Sequence, residues 1–323
     1  MKESEMRIVF MGSSDFAVPA LDALCKAGYE IPYVVTQPDR IRGRGNKVKA
    51  TPIGIYAHEH GLPLLKPENL KSNEEFMRAL VEAEPNLIVV ASYGKILPKS
   101  LLELPPLGCV NIHASLLPEY RGAAPVHRAI LDGKEEVGVT LMFVGEGLDT
   151  GDMITSVKTA ASGMNAGELT DVLARIGAEM LIDMLPIIAD GTAPRISQDE
   201  SKATYAEKIT KGEGQLDLSE TSERLVRKVR AMSPIPGAYV LRGEERIVIT
   251  KAKKKEPGEI RAQKELYEKA APGTVLDVSN DGICVRTGDG LLLIEALKMP
   301  GKKSMLVREY LKGNAFDKAI PLE

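Results

Sequence analysis

Short apolar runs alternate with helix-periodic segments through the first 190 residues, and this alternation leaves few architectures open. RIVFM at 7–11 reads as a buried strand ending at Gly12. Ser13 or Ser14 is placed to cap the helix that follows, which sets Phe16, Leu21 and Leu24 on one face. IPYVVT at 31–36 reads as a second strand, residues 52–60 as a helix, and Leu64 with Leu65 as a short third strand. A helix over 73–83 precedes the strand NLIVVAS at 86–92, and CVNIHA at 109–114 is another strand. Strands separated by helices predict βαβ units, hence a Rossmann-like, mainly parallel sheet covered on both faces. GVTLMFV at 138–144 and DMITSVK at 152–158 flank a tight glycine-rich loop and read as a hairpin-like addition, and 166–190 is a long amphipathic helix ending before Gly191.

At 323 residues the chain has about twice the length of a typical domain, so two domains are expected. The stretch TAPRISQDESKATYAEKITKGEG at 192–214 is polar and rich in breakers. Beyond it a helix near 220–231 leads into strand patterns, AYVL, RIVITKA, GTVLDV, GICVR and LLLIEAL, joined by turns such as NDG and GDG. The expected division is an α/β domain over 1–192, a linker over 193–209 and a small β-barrel over 210–323.

The net charge of -3 excludes a uniformly basic nucleic-acid coat and an acidic disordered chain. Its distribution is uneven. Residues 1–206 carry 20 basic and 27 acidic side chains, a net of -7, and residues 207–323 carry 22 and 18, a net of +4. Cys25, Cys109 and Cys284 are too few and too scattered for a disulfide framework or a zinc site. No run reaches 18 apolar residues and the start, MKESEMRIVF, has no signal-peptide core, so a soluble, cytoplasmic chain with no membrane association is expected. The aromatic content of 4% argues against a base-stacking surface. GxGxxG and GxxxxGK[ST] are absent, which disfavours a dinucleotide-dependent dehydrogenase or a P-loop ATPase.

Chemistry concentrates in CVNIHASLLPEYRGAAP at 109–125. Period two puts Asn111 and His113 on one face of the strand, near the end where parallel sheets place their sites. A neutral amide beside an imidazole is suited to hold a developing oxyanion. A strand histidine is, taken alone, more often a structural group. About 35 residues on lies GEGLDTGD at 145–152, a glycine-flanked acidic loop without the alternating ligands of an EF-hand. Such loops are usually turns, yet Asp149 there could pair with His113 and favour its cationic form. Between Asp39 and Pro52, the loop carries Arg40, Arg42, Arg44, Lys47 and Lys49. A charge run is usually a solvated face, but here glycines loosen a loop that follows a strand and could reach a phosphate backbone.

NIHASLLPEYRGAAP followed by GVTLMFVGEGLDTGDMI closely resembles the folate-dependent formyltransferases. RIVFMGSSDFAVPALDAL, TQPDR at 36–40, ASYGKILP at 91–98, KATYAEKIT at 202–210, SPIPGAY at 233–239 and GDGLLLIEALKMPGKKSM at 288–305 resemble the branch that formylates methionyl initiator tRNA, so the resemblance covers nearly the whole chain. It implies 10-formyltetrahydrofolate as co-substrate, tetrahydrofolate as product, no metal, and a monomer with an OB-like C-terminal barrel that contributes to tRNA binding. It further implies direct attack by the methionine amine through a tetrahedral intermediate, with Asn111 and His113 on the oxyanion and Asp149 holding His113 and helping to remove the amine proton. Tyr93, Gly94, Ile96 and Leu97 would line the folate site with Ser115, Leu116, Leu117 and Pro118. Phe16 would border the methionine side chain, and the loop with Arg40, Arg42, Arg44, Lys47 and Lys49 would enter the acceptor stem. Two departures stand out: Glu119 occupies a position that is often basic in relatives, and the RIR shape of the loop differs from the commoner RPAGRG. The alternatives are another acceptor, glycinamide ribonucleotide or a nucleotide-linked amino sugar, a formyl-folate hydrolase, or a non-enzymatic RNA-binding module.

Overall fold

The computed structural model describes residues 6–41, 48–161, 163–256, 258 and 264–323. Two compact units make up the chain. One comprises Met1–Pro125, Glu136–Ala160 and Thr170–Glu207, the other Val126–Glu135, Ala161–Leu169 and Lys208–Glu323.

In the first unit the elements run β1 (Ile8–Gly12), α1 (Val18–Lys26), β2 (Val34–Val35), β3 (Arg40–Ile41), β4 (Val48–Lys49), α2 (Pro52–Glu59), β5 (Leu64–Leu65), α3 (Glu74–Ala83), β6 (Leu87–Ala91), α4 (Lys99–Leu102), β7 (Cys109–His113) and β8 (Arg121–Gly122). After α5 (Pro125–Leu131), whose residues from Val126 on belong to the other unit, come β9 (Glu136–Phe143), β10 (Met153–Ala160), α6 (Ala166–Ala189) and β11 (Tyr205–Ala206). A seven-stranded sheet has the order β10-β9-β7-β6-β1-β2-β5. β5, β2, β1, β6 and β7 are mutually parallel, while β9 runs antiparallel to β7 and β10 antiparallel to β9. Counted among themselves, the parallel strands stand in the order 3-2-1-4-5 of doubly wound sheets, whose direction of winding reverses between β1 and β6. The mainly parallel sheet and the added hairpin are therefore as the periodicity predicts. β1 and β6 are buried along their whole length, which is why they read as continuous apolar runs.

One local expectation is corrected. α1 does not start at a serine cap. A 3-10 turn over Asp15–Ala17 intervenes, Ala17 is the N-cap of α1, and Ser14 makes no capping bond with its side chain. The Ser13 hydroxyl is drawn away to the Gln37 N–H, at 3.2 Å. Pro19 in the first turn of α1 favours the later start, since its missing N–H costs nothing there.

In the second unit α7 (Ser222–Ala231), capped by the Thr221 hydroxyl, packs Leu225 and Val229 into one apolar core with an antiparallel sheet. Its strands are β12 (Ala238–Arg242), β13 (Glu245–Lys255), β14 (Val275–Ser279), β15 (Gly282–Arg286), β16 (Leu291–Lys298) and β17 (Met305–Leu306), with α8 (Lys264–Lys269) and α9 (Val307–Leu311) between and after them. The strand path is β12-β13-β16-β15-β14, with β17 on β16. Its ends, β12 and β14, are not paired with each other among the described residues, so the antiparallel sheet stands without the closure of the expected barrel. No described helix is long and apolar enough to cross a membrane.

Candidate active site

β7 ends the parallel part of the sheet, and His113 is its last residue. Register on both sides fixes it: Asn111 lies opposite Val90 and Met142, and His113 opposite Thr140. His113 is buried, and its Nε2 lies 2.9 Å from the Tyr120 carbonyl. A carbonyl only accepts, so Nε2 carries a hydrogen. Nδ1 then faces Asp149 Oδ2 across 3.6 Å, beyond hydrogen-bond length. The imidazole is thus set between a carbonyl on one edge and a carboxylate on the other. Among the described residues, the Asn111 side chain makes no hydrogen bond to the protein, so its amide is free to meet a reacting group.

Asp149 is held in a left-handed backbone conformation, φ 53°, which aspartate tolerates better than most side chains. Its Oδ2 accepts the Gly122 N–H at 2.8 Å. Gly122 itself has φ +117°, and a Cβ there would come within 2.9 Å of the Ala206 carbonyl. At Gly151 a Cβ would collide with the Phe143 carbonyl at 1.9 Å. The glycines of the acidic loop thus let the chain turn back tightly enough to bring Asp149 to His113.

The loop after β7 has its own supports. Ser115 Oγ donates to the Glu119 carbonyl at 2.6 Å, which commits the hydroxyl to structure and away from a nucleophile's role. Thr140 Oγ1 donates to the Ser115 carbonyl at 2.7 Å and accepts the Leu117 N–H at 3.2 Å. Leu116 covers Gly138 of β9, leaving no room for a side chain there. The Pro118 carbonyl accepts the Thr204 N–H, and Tyr120 N–H donates to Thr204 Oγ1 at 2.8 Å.

The other segment assigned to the folate site follows β6. Tyr93 is buried in the apolar cluster that holds Val9, Met11, Leu97, Leu101 and Cys109, and burial pushes its phenol up to about 12. Its backbone carbonyl, by contrast, accepts Gln37 Nε2 at 2.7 Å. Gly94, φ +80°, is exposed, and a Cβ there would fall 2.8 Å from that same amide nitrogen. Ile96 is 65% exposed and Leu97 is buried. Lys95 ties the segment down by donating to the carbonyls of Pro67 and Glu68, each at 2.8 Å. Within this segment, then, Gly94 and Ile96 face outward, whereas the side chains of Tyr93 and Leu97 face the core.

Phe16 is buried in the 3-10 turn after β1. Arg40 and Lys49 pair across β3 and β4 as exposed residues of a two-stranded arm. Arg42, Arg44 and Lys47 lie outside the described residues. His58 and His60 are exposed, and His60 stacks on Tyr56. Cys25, Cys109 and Cys284 are free thiols. No group of three or more His, Cys, Asp or Glu among the described residues is placed to hold a metal ion.

Gln198, Thr204 and Glu200 carry no site role in the sequence pattern, and the structure gathers them around Arg121. Arg121 is fully buried. Its guanidinium donates to Gln198 Oε1, at 3.0 and 2.9 Å, and to both oxygens of Glu200, at 2.9 and 2.7 Å. Glu200 hydrogen-bonding raises the Arg121 value above its ordinary range and lowers that of Glu200. The one sequence signal was an arginine wedged between tyrosine and glycine in an otherwise ordered loop.

The arrangement brings a neutral amide, an imidazole and a carboxylate together at the end of β7, groups suited to stabilising charge at a reacting carbonyl. Residues 6–185 match the family model described as formyl transferase, and residues 208–315 match that of the formyl transferase C-terminal domain. A methionyl-tRNA formyltransferase of Clostridioides difficile is 43% identical over 98% of this chain and 100% of its own length. One from Desulforamulus reducens is 44% identical over 95% of each chain. Among solved structures, HypX from Aquifex aeolicus in complex with tetrahydrofolic acid shares the fold, with TM-score 0.64 and 18% identity, covering 95% of this chain and 47% of that one. The chain belongs to the formyl transferase family, among its methionyl-tRNA formyltransferases.

Proposed function

We infer that the chain transfers the formyl group of 10-formyltetrahydrofolate to the α-amino group of methionine esterified to initiator tRNA, as a monomeric cytoplasmic enzyme of translation initiation. The observation that carries the reading is His113 and Asp149 facing each other across 3.6 Å at the carboxyl end of β7, with Asn111 two residues earlier on the same face. When bound, the folate supplies an activated formyl carbon and a leaving nitrogen. The donor set fits it: a neutral amide with no hydrogen bond among the described residues and an imidazole lie on one face of the end of β7, groups suited to a formyl oxygen that gains negative charge. Asn111 and His113 hold that charge. Asp149 orients His113 and takes up the proton lost by the attacking amine, directly or through a water.

Backbone groups at Gly94 and in Ser115–Pro118, with the exposed Ile96 and the apolar Leu116 and Leu117, form the folate wall in this reading. Tyr93 and Leu97 support it from behind, and Phe16 closes the methionine side. The arm with Arg40, Arg42, Arg44, Lys47 and Lys49 engages the acceptor end of the tRNA. Catalysis belongs to residues 1–192, and residues 210–323, net positive by composition, add sequence-independent affinity for the phosphate backbone. The C-terminal sheet is an OB-like barrel opened between β12 and β14; two register shifts in β13, at Ile249/Lys251 and Lys251/Ala252, support the strand bending such a fold requires.

The test offers three acceptors in parallel with 10-formyltetrahydrofolate: methionyl initiator tRNA, glycinamide ribonucleotide and a nucleotide-linked amino sugar. Formylation of the tRNA alone is expected. Preferential use of either small acceptor would overturn the substrate, and no transfer to any would overturn the reaction.

A further inference from the structure

The segment from Arg195 to Ala206 lies as a strap on the two loops that carry the site. Ile196 exchanges backbone hydrogen bonds with Met153, at 2.8 and 2.9 Å. Ser197 Oγ donates to Asp152 Oδ1, at 3.3 Å. Gln198 Nε2 donates to the carbonyls of Asp149 and of Gly151, both at 2.8 Å. Further on, the Thr204 carbonyl accepts the Arg121 N–H at 2.8 Å, and β11 pairs with β8. Every contact lies within the α/β unit.

Gln198 is the pivot, and its orientation follows from chemistry. Arginine can only donate and carbonyls can only accept. The oxygen of the Gln198 amide must therefore face Arg121 and its nitrogen the two carbonyls, as found. The adjacent Gly122 N–H holds the Asp149 carboxylate itself. Asp149 is thus gripped at its carboxylate by the residue next to Arg121 and at its backbone by the amide that Arg121 aligns. The left-handed φ of Asp149 is a minority conformation even for aspartate, and the grip favours it.

We propose that Arg121 and Gln198 are positioning residues for the reaction: the buried guanidinium sets the Gln198 amide, and that amide holds Asp149 in register with His113. The assignment rests on the formyl-transfer reading of Asn111, His113 and Asp149. Neither residue touches substrate; both act through Asp149. A displacement of one ångström in a catalytic group costs on the order of 10²-fold in rate, so the effect belongs in kcat.

Gln198→Glu separates positioning from bulk. It keeps an oxygen for Arg121 but turns the second oxygen on two carbonyls. The expected result is a fall in kcat on the order of 10²-fold, with KM for the folate and for the tRNA within about twofold. Arg121→Lys, which cannot reach Gln198 and Glu200 together, is expected to follow the same pattern. The decisive arm repeats Gln198→Glu on an Asp149→Asn background under single-turnover conditions. A residue that acts only through Asp149 has little left to lose there, and the second substitution is expected to change the residual rate less than threefold. Undiminished kcat in Gln198→Glu, or losses that multiply fully on the Asp149→Asn background, would overturn the proposal. If Gln198→Glu does not purify as a folded protein, Gln198→Met gives the same readouts without added charge. Activity of the unaltered enzyme reports on the formyl-transfer reading, and the ratio between variants reports on the positioning role, so the two can fail separately.

Discussion

The acidic loop that carries Asp149 and the basic arm that begins at Arg40 belong to the same α/β unit and are anchored in opposite ways. Asp149 is tied at its carboxylate, at its own carbonyl and at the carbonyl of Gly151. The arm is tied at its root. The buried hydroxyls of Thr36 and Thr51 share a hydrogen bond of 2.7 Å, Thr51 also caps α2 through the Gly54 N–H, and Lys66 holds Asp39 at 2.7 Å. Chemistry at a carbonyl depends on a group held to fractions of an ångström, whereas attraction to phosphates tolerates displacement. Damage to the first region should therefore appear in kcat, and damage to the second in KM for the tRNA.

The largest effect is expected at the acidic loop. Asp149→Ala should lower kcat on the order of 10³-fold with the fold retained, read by steady-state formylation beside circular dichroism. A change confined to KM would break the comparison from that side. At the arm, Arg42→Ala with Arg44→Ala should raise KM for the tRNA about tenfold, leave kcat within about twofold, and lower the slope of log affinity against log salt by 1 to 2 units. An unchanged salt slope would make those residues a solvated face. At the root, Thr36→Val strands a partner of a buried hydroxyl and should cost about 1 to 2 kcal/mol of stability by denaturant titration. It should raise KM for the tRNA a fewfold and spare kcat.

The smallest effect is expected at Glu200, whose side chain is 70% exposed. Its hydrogen bonds to Arg121 hold its carboxyl below the ordinary value of 4.5. The stability this confers is present above that value and fades as pH falls through the lowered one. Glu200→Gln should accordingly lower stability slightly at neutral pH, where the contribution of the carboxylate is present in full, and the difference from the unaltered protein should vanish as pH falls below about 4.5. A large loss of activity at neutral pH in this variant would show that Gln198 alone does not set the relay.

What could be read in advance follows from where the signals lie. β1 and β6 announce themselves because burial on both faces demands unbroken apolar runs, and the Asn111/His113 pair of β7 stands out because period two separates it from Val110 and Ile112. The hairpin of β9 and β10 is equally local. Arg121 and Gln198 are 77 residues apart, and β8 pairs with β11 through two residues in each strand. Such contacts leave no periodicity, so a polar stretch that grips the site looks like any connector. The start of α1 departs from its sequence pattern for a related reason: a serine before a helical pattern is a cap by composition, and the distant backbone N–H of Gln37 takes the Ser13 hydroxyl instead. Closure of the C-terminal barrel likewise depends on pairing between distant strands, which strand-by-strand periodicity does not specify.

Single-turnover formylation of methionyl initiator tRNA by His113→Ala, with both substrates saturating, isolates the chemical step proposed for His113. The rate is expected to fall on the order of 10³-fold while tRNA and folate affinities stay within about twofold. A single-turnover rate near that of the unaltered enzyme would contradict that role.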